Sequence, residues 1–253
     1  MRSGRPGATR PTLDPPTPDE LESCPFCVGH EQMTPPQTLV LPGASSEWRV
    51  RVVPNLYPAL ERQEVVVQSP AHSRSIAEID DDQLDLVAEA WQRRRAAEPS
   101  GYVHALINEG REAGASLPHT HSQLGWLPSG PPPEPPRDGE TITERDGLVA
   151  WSPRVARVPY ECAIAPHDPE PDGFRSPRLG AALRLLAEVV RRLHALEGPT
   201  PLNAWLHNHE SGWRLVLFPR LSILAALELG AGVYVNTLAP EEAARRLRTD
   251  GEL

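Results

Sequence analysis

The chain has 253 residues, with 34 acidic residues against 25 basic ones, and a formal net charge of -9. Every basic residue is Arg, so Schiff-base, lysine-anchored pyridoxal phosphate and P-loop lysine chemistries are excluded. A surface this acidic is also a poor match for a phosphate backbone, which excludes nucleic acid as the main partner.

Residues 1–23 are rich in Pro, Gly and Arg and are predicted to be extended or partly disordered. Short apolar runs predict strands over 38–42, 48–53 and 64–68. A helix is predicted from Asp80 to Ala97. It opens on Asp80, Asp81 and Asp82, closes on Arg93, Arg94 and Arg95, and carries an apolar stripe of Leu84, Val87, Ala88 and Trp91. The basic end reads as solvated, and Trp91, Trp126 and Trp205 read as core. Strands follow at 102–108 and 122–127. Residues 128–140 are Pro-rich and read as a linker of polyproline II character. The pattern then restarts with strands near 147–151 and 160–165, a helix over 177–197, strands near 203–207 and 213–218, and a short helix near 240–248. The expected organisation is two tandem halves, 1–130 and 141–253, joined by the linker. The expected fold class is α+β, an antiparallel sheet with helices packed on it.

Three cysteines, Cys24, Cys27 and Cys162, do not make a disulfide framework. No run of apolar residues is long enough to span a bilayer, so no membrane partner is expected. The first residues lack the apolar core of a signal peptide, and a cytoplasmic location is expected. The Cys24-Pro-Phe-Cys27 spacing suits two thiolates on one metal, with zinc the usual occupant. Without a second Cys pair, the remaining ligands must be His or carboxylate. His119 and His121, two apart on a strand, face one side together with Gln123. The Gly-rich stretch before them, with Asn108, Gly110, Gly114 and Ser116, can turn backbone N–H groups toward an anion. His207 and His209 read as part of an exposed turn. His30 and His104 read as surface or packed residues, and Cys162 as a buried small apolar residue.

CPFCVGHE, RVVPNLYPAL, QSPAHSRSIAEI and NEGREAGASLPHTHSQL, in this order, resemble the galactose-1-phosphate uridylyltransferase family, the nucleotidyltransferase branch of the histidine-triad superfamily. The likeness runs from about residue 5 to residue 248 and is most specific between 24 and 124. It implies that Cys24, Cys27, His72 and His119 hold zinc and that His121 is the nucleophile. Gln123 would contact the transferred phosphoryl group. Asn55, Asn108, Gly114 and Ser116 would lie near the nucleotide and its phosphates, and Glu228 would read sugar hydroxyls. The implied partners are a nucleotide sugar and a sugar 1-phosphate, with UDP-glucose and galactose 1-phosphate the expected pair and a homodimer the expected assembly. An ADP-glucose-type phosphorylase using inorganic phosphate is the neighbouring reading, and a non-catalytic zinc nucleotide-binding module the remote one. Gln123 stands where hydrolases of the superfamily carry a third histidine; an amide cannot shuttle a proton at neutral pH, which favours transfer over hydrolysis. The chain departs from the family pattern at Thr120, where a proline is usual. It also lacks a lysine for the sugar site, and the strand Gly212 to Phe218 carries no histidine.

Overall fold

The computed structural model describes residues 16–43, 47–132 and 137–249. Its centre is one ten-stranded antiparallel sheet. The strands of the first half are β1 (Leu39–Leu41), β2 (Val50–Pro54), β3 (Gln63–Val67), β4 (Tyr102–Glu109) and β5 (His121–Leu127). Those of the second are β6 (Gly139–Arg145), β7 (Leu148–Pro153), β8 (Cys162–Pro166), β9 (Leu202–His207) and β10 (Arg214–Pro219). Their spatial order is β1-β2-β3-β5-β4-β9-β10-β8-β7-β6. Each half therefore inserts its fifth strand between its third and fourth, and the halves join edge to edge through β4 and β9.

In each half a long helix connects the third strand to the fourth: α2 (Asp81–Ala97) and α3 (Leu179–Glu197). Asp80 caps α2 by accepting from the Gln83 N–H at 2.7 Å, and Asp81 and Asp82 complement the positive end of its dipole. Both helices pack on the same face of the sheet and on each other, enclosing Leu84, Val87, Trp91, Leu183, Leu186 and Val190 with the inward residues of the central strands. Burying each such large side chain contributes about 1.5–3 kcal/mol. The Trp91 indole N–H donates to Ser122 Oγ at 2.9 Å, which ties α2 to β5 from beneath.

Alternation along β5 sends Ser122 and Leu124 down into that core, so His121 and Gln123 rise on the opposite face. There a second cluster of Cys24, Phe26, Trp48, Val53, Val65 and Val67 roofs the first half. No helix of the described residues is long and apolar enough to cross a membrane.

Several expectations need correction. Within the stretch expected to be extended, Pro18–Ser23 forms the helix α1, because Thr17 caps it through the Glu20 N–H and Pro18 presets the first turn; residues 1–15 lie outside the described part. The expected linker ends early, since Gly139 and Glu140 already belong to β6, an unforeseen strand that pairs with β7. His207 closes β9 and is buried, whereas the turn was expected to expose it. Trp126 and Trp205 are only half-buried: Trp126 sits at the rim of the helix-side core, its indole N–H donating to the Glu98 carbonyl at the end of α2, and Trp205 stands on the open face. Arg94 turns back from the end of α2 to grip the buried Glu64 with two bonds of 2.8 Å, instead of lying in solvent. A short helix, α4 (Ala226–Ala231), precedes the final α5 (Pro240–Thr249).

Candidate active site and metal centre

Four side chains from three separate segments converge on the open face of the first half. Cys24 and Cys27 follow α1, His72 lies in the turn after β3, and His119 lies two residues before the start of β5. One ligand atom from each lies within 4.8 Å of all the others, which suits the bond lengths of a tetrahedral zinc site. The hydrogen bonds behind the histidines fit the same group. His119 turns Nδ1 toward Cys24 Sγ at 3.4 Å and Cys27 Sγ at 3.7 Å, while its Nε2–H donates to the Ser69 carbonyl at 3.0 Å. His72 turns Nδ1 toward Cys27 Sγ at 3.2 Å, and its Nε2 meets Glu20 Oε1 at 2.8 Å. In both rings the outer nitrogen has an oxygen acceptor, so the inner one keeps its lone pair for a cation. Burial pushes His119 down to about 4, which keeps it neutral. Burial and the neighbouring Cys24 push the Cys27 thiol up to about 12, a penalty that a divalent cation would reverse. Glu20, also held by Arg74, was not foreseen as the partner of His72; it sits on α1, inside the stretch expected to lack structure.

His121 lies two residues beyond His119 and is buried. Its Nδ1 stands 2.9 Å from the His119 carbonyl. A carbonyl only accepts, so Nδ1 carries the proton and Nε2 presents its lone pair. Burial holds the ring below its ordinary basicity and so favours the neutral form. Phe26 meets the ring edge-on, with centroids 5.2 Å apart.

Thr120, in the usual position of a proline, is buried. Its hydroxyl stands 3.0 Å from Gln68 Oε1 and 3.1 Å from Glu109 Oε1, and its N–H donates to the Ser73 carbonyl at 2.7 Å. Glu109 also accepts from Ser75 Oγ and from the Ile76 N–H. One carboxyl thus joins the turn carrying His72 to the peptide between the two histidines, a role with no motif to announce it.

Gln123 accepts from Gln63 Nε2. Asn55 stands beside them: its N–H donates to the Gln63 carbonyl at 2.9 Å, and it lines a cleft of about 830 Å³ with Gln63 and Trp126. On the other side, the pair Ile107–Ser122 places Asn108 next to His121 on the open face. After β4 the chain turns sharply. Gly110 has φ +82°, and a Cβ there would stand 2.8 Å from Pro201, so glycine is required. The N–H groups of Gly114 and Ala115 are used inside this turn, on the Arg111 and Gly110 carbonyls. The sequence expectation that they face an anion is therefore corrected. Ser116 is exposed and makes no hydrogen bond among the described residues, so it is what the loop can offer.

Glu228 is not gathered with the others. It lies on the exposed α4, where its carboxylate accepts from the Ala225 N–H at 2.9 Å. The segment around it exposes Ile223, Leu227, Leu229, Val233 and Val235.

The arrangement offers a neutral imidazole with a free lone pair, amides on both sides of it, and a closed metal site holding the adjoining strand. That is the equipment of phosphoryl-centred nucleophilic catalysis. Comparison with known proteins agrees. The family described as galactose-1-phosphate uridyl transferase, N-terminal domain, matches residues 58–127. An ADP-glucose phosphorylase of Arabidopsis thaliana is 29% identical, the match covering 89% of this chain and 81% of the relative. A galactose-1-phosphate uridylyltransferase of Thermotoga maritima is 24% identical over 89% of this chain and 88% of its own. The crystal structure of an ADP-glucose phosphorylase from Arabidopsis thaliana with bound ADP-glucose superimposes with a TM-score of 0.82 at 26% identity, covering 96% of this chain and 92% of that one.

Proposed function

We propose, from its similarity to the galactose-1-phosphate uridylyltransferase family, that the chain is a member of that family, the nucleotidyltransferase branch of the histidine-triad superfamily, and that it moves a nucleoside monophosphate from a nucleoside diphosphate sugar to a phosphate acceptor through a covalent adduct on His121. A nucleotidyltransferase-type activity on sugar phosphates follows from the relatives. The observation that carries the covalent reading is the His121 Nδ1–H donated to the His119 carbonyl, which leaves Nε2 as the attacking atom.

In the first step Nε2 attacks the α-phosphorus. The P–N bond forms, the P–O bond to the sugar 1-phosphate breaks, and the leaving group departs as an anion that needs no proton. In the second step a phosphate oxygen attacks the same phosphorus, the P–N bond breaks, and the imidazole is neutral again. Two displacements replace one difficult transfer. Gln123 and Asn108 donate to the phosphoryl oxygens as their charge grows. Buried Phe26 and the roof around it limit the access of water to His121. With four protein ligands the metal site is closed, so a bound zinc supplies a cross-link and no Lewis-acid step. Cys24, Cys27, His72 and His119 hold it, and His119 passes its rigidity to His121.

The family resemblance implies UDP-glucose and a hexose 1-phosphate as the substrates. The Arabidopsis relatives, the more similar of those compared, support ADP-glucose as donor and inorganic phosphate as acceptor, and this is the reading adopted. The Thermotoga relative supports the uridylyl alternative. Assembly as a homodimer is part of the proposal: the apolar side chains exposed around α4, which include the neighbours of Glu228, are suited to cover by a second copy. The experiment is to supply ADP-glucose or UDP-glucose, each with phosphate or with galactose 1-phosphate, and to follow the products. ADP formed from ADP-glucose and phosphate supports the adopted reading. UDP-galactose formed from UDP-glucose supports the alternative. Failure of all four pairs refutes both.

A further inference from the structure

The two amides flanking His121 matter only if their NH₂ groups, and not their carbonyls, face the phosphoryl oxygens. An amide side chain can present either end, so something must choose. The hydrogen bonds behind both amides make that choice.

On one side stands Asn203, on β9 in the second half of the chain. Its Oδ1 accepts from Arg220 Nη1 at 3.2 Å, and its Nδ2 donates to the Ala113 carbonyl at 2.8 Å. Arginine can only donate and a carbonyl can only accept, so both ends of Asn203 are fixed. Its second Nδ2 hydrogen goes to Asn108 Oδ1 at 2.8 Å. Asn108 must therefore turn its own Nδ2 outward, and that group makes no hydrogen bond among the described residues. Asn108 and Asn203 both line a cavity of about 420 Å³ on the open face, alongside Leu106 and Trp205. Arg220 makes no ion pair among the described residues; its one side-chain hydrogen bond there goes to Asn203. Its backbone N–H, bonded to the Pro201 carbonyl at 2.7 Å, continues the β9–β10 pairing and anchors it.

The other side repeats the logic. The Ala59 N–H donates to Gln63 Oε1 at 2.8 Å, so Gln63 must offer Nε2, which it gives to Gln123 Oε1. Gln123 in turn faces outward with its NH₂ group.

We infer that Arg220 and Asn203 on one flank, and Gln63 on the other, are positioning residues that lock Asn108 and Gln123 as hydrogen-bond donors to the phosphoryl group at His121. The inference rests on the proposed covalent transfer and assigns to the second half of the chain a part in it. The ligand recognised is the α-phosphate of a nucleoside diphosphate sugar, whose oxygens accept and never donate when ionised.

The test uses the full-length, metal-loaded protein and rapid-quench measurement of the sugar 1-phosphate burst from ADP-glucose and from UDP-glucose. Removing a transition-state donor outright costs about 10²–10³ in rate, and losing only its orientation should cost less, on the order of tenfold. Arg220→Met should show that loss in the burst rate at saturating donor, with half-saturation little changed. Arg220→Gln lacks the charge but can still donate to Asn203, and should recover most of the rate, as should Arg220→Lys. Gln63→Met should show a similar loss independently, which keeps the proposal testable if Arg220→Met fails to fold. Wild-type burst rates in both Met variants would overturn the inference. So would Arg220→Gln as slow as Arg220→Met, which would make charge the working property, or a change in half-saturation alone. No burst from the wild type with either donor would instead refute the covalent reading, and this inference with it.

Discussion

The two halves of the sheet share a strand order and differ in chemistry on the same face. In the first half, the fifth strand presents His121 and Gln123 beside four converging Cys and His side chains that could hold a metal ion. The corresponding strand of the second half presents Arg214 and Val216, which line a cavity of about 510 Å³ with Trp151 and Arg157. Both halves bury their helices alike, so the packing face tolerates repetition while the open face is free to diverge. The second half holds no nucleophile on that strand; its contribution reaches across the β4–β9 seam through Pro201, Asn203 and Arg220.

The sharpest break of this asymmetry is a pair of substitutions on equivalent strands. His121→Ala should reduce nucleotidyl transfer to background, and Arg214→Ala should leave it little changed. Steady-state rates of ADP formation from ADP-glucose and phosphate measure both. Comparable losses in the two variants would mean that the halves share the chemistry.

Next in size is the metal. Cys24→Ser removes one of the four ligands and should cost on the order of 3 kcal/mol or more, about 6–12 °C in Tm at this chain length, with loss of bound zinc by elemental analysis. Cys162→Ala, in the second half, should keep its zinc. Full zinc in the Cys24 variant would remove the cluster from the account.

A smaller effect is expected at Thr120. Thr120→Val strips the buried hydroxyl from Gln68 and Glu109 and should cost about 1–3 kcal/mol. Thr120→Ser should restore most of it, as read by denaturant midpoints. Equal stability of all three would make the hydroxyl incidental.

The smallest concerns pH. Burial pushes Glu109 up to about 7 from an ordinary 4.5. Between those values the folded chain holds a proton that the unfolded chain has released. This group therefore supports folding most below 4.5, loses that contribution as pH rises toward 7, and is flat above. The slope reaches about 1.4 kcal/mol per pH unit. Glu109→Gln should lack it, so the stability gap between wild type and variant should shift in the variant's favour from pH 5 to pH 7.5. A gap constant across that range would show that Glu109 stays ionised.

Much of this was legible in the sequence, and for identifiable reasons. Helix α2 announces itself by charge at its ends and apolar spacing between, and α3 by its apolar spacing alone. The Cys24–Cys27 pair and the shared face of His119, His121 and Gln123 are carried by local spacing, whereas His72 as a ligand and the roles of the two histidines come only with the family resemblance. What escaped is non-local. Glu20, Gln63, Glu109, Asn203 and Arg220 act on the site from separate segments, and no short pattern links Asn203 to Asn108 across ninety-five residues. Strand β6 hid behind prolines, and the burial of His207 was masked by the polar residues that follow it.

The central claim is that His121 Nε2 forms a bond to the α-phosphorus. Its most direct test is to incubate the metal-loaded protein with ADP-glucose or UDP-glucose and no acceptor, quench at alkaline pH, and locate the added mass by peptide mass spectrometry. The account predicts one nucleoside monophosphate per chain on the peptide holding His121, acid-labile and base-stable as a P–N bond is, and absent from His121→Ala. Label on His119, or sugar 1-phosphate released only when an acceptor is present, would contradict it.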